Sequence, residues 1–331
     1  MKFLKRFLIA LILIIATIFI IYKLGPKIPE PIFSHTLPEI PADIITLDNW
    51  VKQHESKYPT LKAGNEAKIV WNDGISISTE YAIVYLPGFG ASHQEGFPVH
   101  TNLADSLNAN LYLARLKGQG LNSENAYKGL TAESYMESAM EALSVGKLLG
   151  EKVIIAATST GAAQALWLAS EFPNDVEGLI LYSPYIALRQ AFNERLVLGP
   201  WGKNITKLVM GGEINHEVRP DSIAAFWSEY YHVDAYYSLF SMINKSMIQE
   251  TFQKVQCPVF MAYYYKDESN QDNVVSVEAM KEMFAQLSSK IKKEIPFPES
   301  GNHVIASRLR SKDWIGVQDS SWHFIKNNII N

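Results

Sequence analysis

The segment from Lys152 to Ala163 constrains this chain more than any other. A continuous apolar run, Val153-Ile154-Ile155-Ala156-Ala157, passes directly into Thr158-Ser159-Thr160-Gly161-Ala162-Ala163. An unbroken run of this kind fits a strand covered on both faces, as in a parallel sheet flanked by helices. The small residues after it leave room for a sharp turn, and Leu166, Trp167 and Leu168 continue as a helix. Strand, turn and helix together put Ser159 at the apex, where its hydroxyl stands clear of the backbone as a candidate nucleophile. Crowding at such a turn requires small residues beside the serine, and Ala157 and Gly161 meet that need. Taken alone, the segment also fits a Ser/Thr-rich turn without chemistry, so the rest of the chain has to decide.

Other stretches repeat the pattern. Ala67–Trp71, Glu80–Leu86, Asn110–Leu116, Gly178–Ser183, Cys257–Tyr264 and Glu294–Phe297 read as strands, and Asn72-Asp73-Gly74 as a turn. Thr131 caps a helix with Ala132, Tyr135, Met136, Ala139, Met140 and Leu143 on one face and Gly150 at its end, and another helix starts near Val277. Strands alternating with helices predict a mainly parallel sheet. From Tyr185 to Lys254 no clear strand is visible, and large side chains crowd into helical stretches. This reads as a helical cap at 185–254, inserted between core segments 65–184 and 255–331. Most of its aromatics are expected to pack the cap; Trp227, Tyr230 and Tyr231 are candidates to line an apolar pocket.

The N-terminus stands outside that pattern. Lys2, Lys5 and Arg6 precede an apolar run from Phe7 to Tyr22, closed by Lys23, with no Ala-x-Ala cleavage site after it. Its length approaches the ~17–25 residues that cross a bilayer. Residues 1–24 therefore read as a single-pass signal anchor, and positive charge before the run predicts a cytoplasmic N-terminus and an exported body. A cleaved signal peptide with an atypical site is the alternative. Pro26, Pro29, Pro31, Pro38 and Pro41 then make 25–64 a stiff spacer ending in a short amphipathic helix with Leu47, Trp50, Val51 and His54 on one face.

Charge excludes one class of partner: 30 Lys+Arg against 34 Asp+Glu, net −4, with no long basic run, argue against nucleic acid. Cys257 is the only cysteine, so neither an internal disulfide nor a four-cysteine metal site is available. His216-Glu217 begins like a zinc-binding His-Glu-x-x-His helix, but position 220 is Pro, and no metal is expected. Gly88-Phe89-Gly90 follows a strand, yet His93 stands where a dinucleotide loop needs its third glycine. A second Gly-x-Gly, Lys117-Gly118-Gln119-Gly120-Leu121, has no phosphate-site context and stays unassigned. Near the C-terminus come an acidic loop containing Asp267 and Asp272, and then Gly301-Asn302-His303.

A serine, then an acid after a strand, then a histidine after the last strand is the chain order of the α/β hydrolases. On Leu86-Pro87-Gly88-Phe89-Gly90, the Ser159 turn, the acid loop and Gly301-Asn302-His303, the chain resembles that superfamily over roughly residues 65 to 325. It is most similar to the capped branch with monoacylglycerol lipases and carboxylesterases. It departs from the family pattern at Pro87-Gly88, where His-Gly is usual, and at Ala157, where Gly is usual.

The resemblance implies an α/β-hydrolase fold with an inserted cap and a serine hydrolase acting on a small acyl ester. Ser159 would be the nucleophile, His303 the base, and the backbone N–H groups of Phe89 and Thr160 the oxyanion donors, with no cofactor. Counting from Pro258 favours Asp267 as the acid; keeping the register of Asp272-Asn273-Val274-Val275 to the next helix favours Asp272, which is preferred. His93, close to the Gly88 loop, is a further candidate for substrate contact. Thioesterase, exopeptidase and acyltransferase chemistry remain open on the same residues, as does a non-catalytic binding module. Protein partners are not legible.

Overall fold

A computed structural model describes residues 2–74, 76–190 and 192–330. The first helix, α1 (Lys2–Lys23), is followed by the spacer, α2 (Leu47–Glu55), β1 (Lys68–Val70) and β2 (Thr79–Leu86). A 3-10 turn (His93–Gly96), α3 (Val99–Leu107), β3 (Asn110–Leu113), α4 (Ala132–Leu149), β4 (Gly150–Thr158), α5 (Thr160–Glu171) and β5 (Gly178–Tyr182) complete the first core segment. The inserted segment holds α6 (Phe192–Leu198), α7 (Gly202–Met210), β6 (Ile214–His216), α8 (Asp221–Ala224), β7 (Tyr230–His232), α9 (Val233–Ser246) and α10 (Gln249–Lys254). The chain returns to the sheet through β8 (Val259–Tyr263), α11 (Val277–Gln286), β9 (Lys292–Pro296) and α12 (Trp314–Asn328).

The main sheet has seven strands in the order β1-β3-β2-β4-β5-β8-β9. All neighbours run parallel except β1, which is antiparallel to β3. Side-chain alternation divides the core. Val153, Ile155 and Ala157 of β4 join a cluster with α4, α5 and α11, whereas Ile154 and Ala156 face the cluster built with α3 and α12. This explains the unbroken apolar run: both faces are covered, and each Ile side chain removed from water contributes ~1.5–3 kcal/mol.

From β2 the chain passes to β3 on one side, then crosses to β4 on the other. The crevice beyond the carboxyl ends of β2 and β4 is thus the topological switch point, where ligands bind in open α/β sheets. Both the Gly88 loop and Ser159 leave the sheet there.

Two features differ from the sequence expectation. The cap is not purely helical: β6 and β7 pair antiparallel, Ile214 with His232 and His216 with Tyr230. Each is three residues long, too short for a period of two to register. The Pro-rich spacer is also not a free arm. Phe33 is buried with its ring edge-on to Trp167, centroids 5.3 Å apart, and Ser144 Oγ donates to the Pro38 carbonyl at 2.7 Å. The reason lies in α5, whose residues from Thr160 to Ser170 are all buried. A helix apolar on every side needs a cover on every side, and the spacer forms part of it.

Candidate active site

Ser159 occupies the turn between β4 and α5 with φ 54° and ψ −114°, a sparsely populated conformation held by its surroundings. Its N–H donates to the Tyr182 carbonyl at 2.9 Å, and its carbonyl accepts from the Tyr185 N–H at 3.0 Å, so β5 and its exit fix the apex from both sides. A Cβ at Gly161 would lie 2.3 Å from the Leu86 carbonyl oxygen, so any other residue would push α5 off β2. Ala157, in place of the usual glycine, is fully buried within β4.

His303 and Asp272 meet from different loops: His303 Nδ1 lies 2.6 Å from Asp272 Oδ2. The other carboxylate oxygen accepts the N–H groups of Val274 at 2.8 Å and Val275 at 3.1 Å. Asp272 is fully buried, and burial alone would raise its pKa; the imidazole and the two N–H donors outweigh it and hold the carboxyl below its ordinary range. An ionised carboxylate only accepts, so Nδ1 carries the proton and Nε2 is left as the base. Burial would likewise depress His303, but the Asp272 charge and hydrogen bond raise its pKa above the ordinary value. Ser183 Oγ donates to the His303 carbonyl at 2.8 Å and steadies the loop. No hydrogen bond joins Ser159 Oγ to His303 among the described residues; in resting sites such contacts are commonly long and tighten with substrate.

Asp267 stands elsewhere. The segment from Tyr265 to Gln271 closes on itself as a surface hairpin, and Asp267 Oδ1 accepts the N–H groups of Ser269 and Asn270 at 2.9 and 2.8 Å. Of the two acids, Asp272 is the one hydrogen-bonded to His303 among the described residues.

The remaining candidates separate in the same way. Thr160 opens α5, so its N–H is one of the unpaired donors at a helix start. Phe89 lies in the loop after β2, its ring 5.8 Å from those of both Tyr135 and Tyr231. Tyr231 stacks on Tyr127 with centroids 5.6 Å apart, and a Cβ at Gly90 would lie 2.2 Å from its hydroxyl. Trp227 packs with Ala91, Ile223 and Val304, next to His303, and its backbone bridges Ala91.

Tyr230 does not join this group: alternation along β7 turns it the other way, where it stacks on His216 at 4.4 Å. His93 is not at a pocket edge either. Its ring is buried, with Nε2 3.2 Å from the Glu66 carbonyl, and burial beside His100 depresses its pKa to about 3. A cavity of about 640 Å³ between the spacer, the start of α4, α7 and α9 includes neither Ser159 nor His303 in its lining.

Three residues near the site escape sequence reasoning. Glu95 is buried beneath the Gly88 loop, Gln119 reaches the same loop from the side, and Arg189 Nη1 donates to the Asp272 carbonyl at 3.1 Å. Only Gln119 lay in a visible motif, the unassigned Gly-x-Gly.

No protein-family model and no curated protein matches the sequence. Solved structures do. One described with LipS and LipT, two metagenome-derived lipolytic enzymes, superposes with a TM-score of 0.66 at 15% identity, covering 81% of this chain and 100% of that one. Est1E from Butyrivibrio proteoclasticus with ferulic acid bound gives 0.58 at 15% identity, covering 80% and 96%. A soluble variant of monoglyceride lipase from Saccharomyces cerevisiae, in complex with a substrate analogue, gives 0.58 at 16% identity, covering 80% and 92%. At such identities the likeness is one of fold, and it agrees with the sheet order and the strand–turn–helix at Ser159: this chain has the α/β-hydrolase fold.

Proposed function

We propose that the protein is a membrane-tethered serine hydrolase that cleaves carboxylic esters through an acyl-enzyme. The observation that carries this reading is the buried Asp272–His303 pair, together with a serine held at positive φ at the sheet's switch point, the two tied to adjacent residues, Tyr182 and Ser183, at the end of β5. His303 Nε2 takes the Ser159 proton as Oγ bonds to the acyl carbon. The oxyanion that forms is met by the N–H groups of Phe89 and Thr160, and a single donor of this kind is worth ~3 kcal/mol in related sites. The imidazolium then protonates the leaving alcohol, and a water activated by the same nitrogen releases the acid. Asp272 keeps its negative charge throughout and stabilises the imidazolium. Lipolytic and esterase activities among proteins of the same fold support an ester substrate over other acyl compounds.

The tether is the N-terminal helix. The most apolar 18-residue window of Phe3–Lys23 has mean hydropathy 2.6 and is not covered by the rest of the chain, and the whole segment spans 21 residues. At 1.5 Å per residue that is ~31 Å, the thickness of a bilayer's hydrocarbon core. With basic residues before the helix, the body lies on the exported side.

A panel of p-nitrophenyl esters of increasing acyl length, with a thioester and a peptide arylamide alongside, tests the reaction class. Turnover of esters by the wild type, absent in Ser159→Ala, is expected. Turnover confined to the thioester or the arylamide would replace the ester reading, and activity surviving in Ser159→Ala would remove the nucleophile.

A further inference from the structure

The Gly88 loop carries the Phe89 N–H, and two buried side chains from outside the proposed catalytic set grip it. Gln119, fully buried in the second Gly-x-Gly, donates Nε2–H to the Gly88 carbonyl at 3.0 Å. Glu95, from the turn after the loop, accepts the Gly88 N–H on Oε1. We propose that Gln119 and Glu95 are positioning residues that clamp the two peptide planes on either side of Gly88 and so aim the Phe89 N–H at the substrate oxygen. The inference rests on the hydrolase reading above.

Peptide geometry is the reason. The Gly88 carbonyl and the Phe89 N–H belong to one planar trans unit and point in opposite directions. Holding the carbonyl on one side therefore fixes where the N–H points on the other. The Ala91 N–H also donates to the Gly88 carbonyl, at 3.1 Å, but Ala91 belongs to the same loop and moves with it. Gln119 does not: its own carbonyl accepts from Arg115 Nη1 at 3.2 Å, and its Nε2 also donates to the Tyr135 hydroxyl at 2.9 Å on α4. The amide orientation is forced, because a flipped Gln119 would set its carbonyl oxygen against the Gly88 carbonyl, acceptor against acceptor.

On the other plane, Glu95 fixes the Pro87–Gly88 unit. A Cβ at Gly88 would lie 3.3 Å from both Glu95 carboxyl oxygens and 3.2 Å from Ser159 Cβ, so the carboxyl sits directly behind the loop at the level of the nucleophile. An anion there would oppose the developing oxyanion. Burial pushes the Glu95 pKa up to about 8, against the opposing effects of the Gly88 N–H, His303 and Tyr85, so at neutral pH the group is mostly an uncharged acceptor.

The test compares Gln119→Met, Glu95→Gln and Glu95→Leu with the wild type. It reads kcat and KM on p-nitrophenyl butyrate, inhibition by phenylboronic acid, and melting temperature. The boronate forms a tetrahedral anion on a nucleophilic serine and so reports on the oxyanion donors. Gln119→Met is expected to lower kcat by about 10- to 100-fold, below the full loss of a donor. KM should change little, and boronate affinity should fall by a similar factor in a protein that still melts near the wild type. Glu95→Gln, which keeps an acceptor oxygen, should retain most of kcat, and Glu95→Leu should behave like Gln119→Met.

Unchanged kcat and boronate affinity in Gln119→Met would overturn the clamp, as would a loss of melting temperature and KM that leaves boronate affinity intact. Should Gln119→Met fail to fold, the Glu95 pair decides, and equal loss in Gln and Leu overturns the inference. A wild type without ester turnover or boronate binding would sink the hydrolase reading itself; an active wild type with an indifferent Gln119 sinks only the clamp.

Discussion

Asp267 and Asp272 are five positions apart and do different things, and the difference is environment. Asp267 caps its own surface turn in water; Asp272 is buried with one oxygen on His303 and the other on two backbone N–H groups. Asp272→Asn should leave the fold intact and lower kcat by ~10⁴-fold, because the imidazole loses the acceptor that fixes its tautomer. Asp267→Asn should change kcat little, and the reverse result would move the role to Asp267. The same pair bears on pH. His303 must be neutral to accept the serine proton, and its pKa is raised, so kcat/KM should fall as pH drops through a midpoint above about 6.5. With Asn at position 272 the charge that raises that pKa is gone, and the midpoint should move down; a pH–rate profile of each variant reads this directly. The turn at Ser159 and the loops carrying Asp272 and His303 were legible as local motifs, and the structure pairs the last two. Glu95 was not, because its meaning comes from the backbone of a residue that only the folded loop brings to it. His93 misled for the converse reason: nearness in sequence to the Gly88 loop says nothing about which way a ring points.

At the level of elements, the strands were legible wherever burial on both faces wrote a continuous apolar run, and α4 was legible from its cap and apolar face. The structure gives Thr131 and Ser134 a reciprocal capping box. The cap strands β6 and β7 were not, since three-residue strands leave no pattern. They matter nonetheless, because β7 brings Tyr231 over Gly90, and the Ser228 N–H donates to the Gly90 carbonyl at 2.7 Å. The cap is thereby stitched to the loop that carries Phe89. Tyr231→Ala should lower stability by ~3–5 kcal/mol, the range for losing a core aromatic. It should also slow all esters alike, because it unsettles the loop rather than an acyl pocket. Tyr230→Ala, on the other face of β7, should do neither. Urea unfolding together with the ester panel checks both statements, and a loss confined to long acyl chains would instead make Tyr231 part of the substrate pocket.

The whole molecule joins a hydrolase-fold body to an apolar N-terminal helix through a spacer pinned along α4 and α5. Composition and proline content announced the helix and the spacer; the pinning was invisible, because it depends on α5 needing cover on every side. The body also contacts the end of α1: the Trp201 indole N–H donates to the Ile21 carbonyl at 3.0 Å, which under the proposed tether would keep the body close to the membrane. The intact chain should therefore remain in membranes after a carbonate wash, with its body open to protease from the exported side. A shortened, freely soluble form would show instead that the first segment is cleaved. The sheet order puts the Gly88 loop and Ser159 at one crevice, and the His303 loop, which follows the edge strand β9, is held to the exit of β5 by Ser183. The most direct measurement of whether that crevice is catalytic is labelling by a fluorophosphonate probe, with the modified peptide identified by mass spectrometry. Labelling of the wild type on the peptide that contains Ser159, lost in Ser159→Ala, is the expected result; labelling of both proteins alike, or on another peptide, would contradict it.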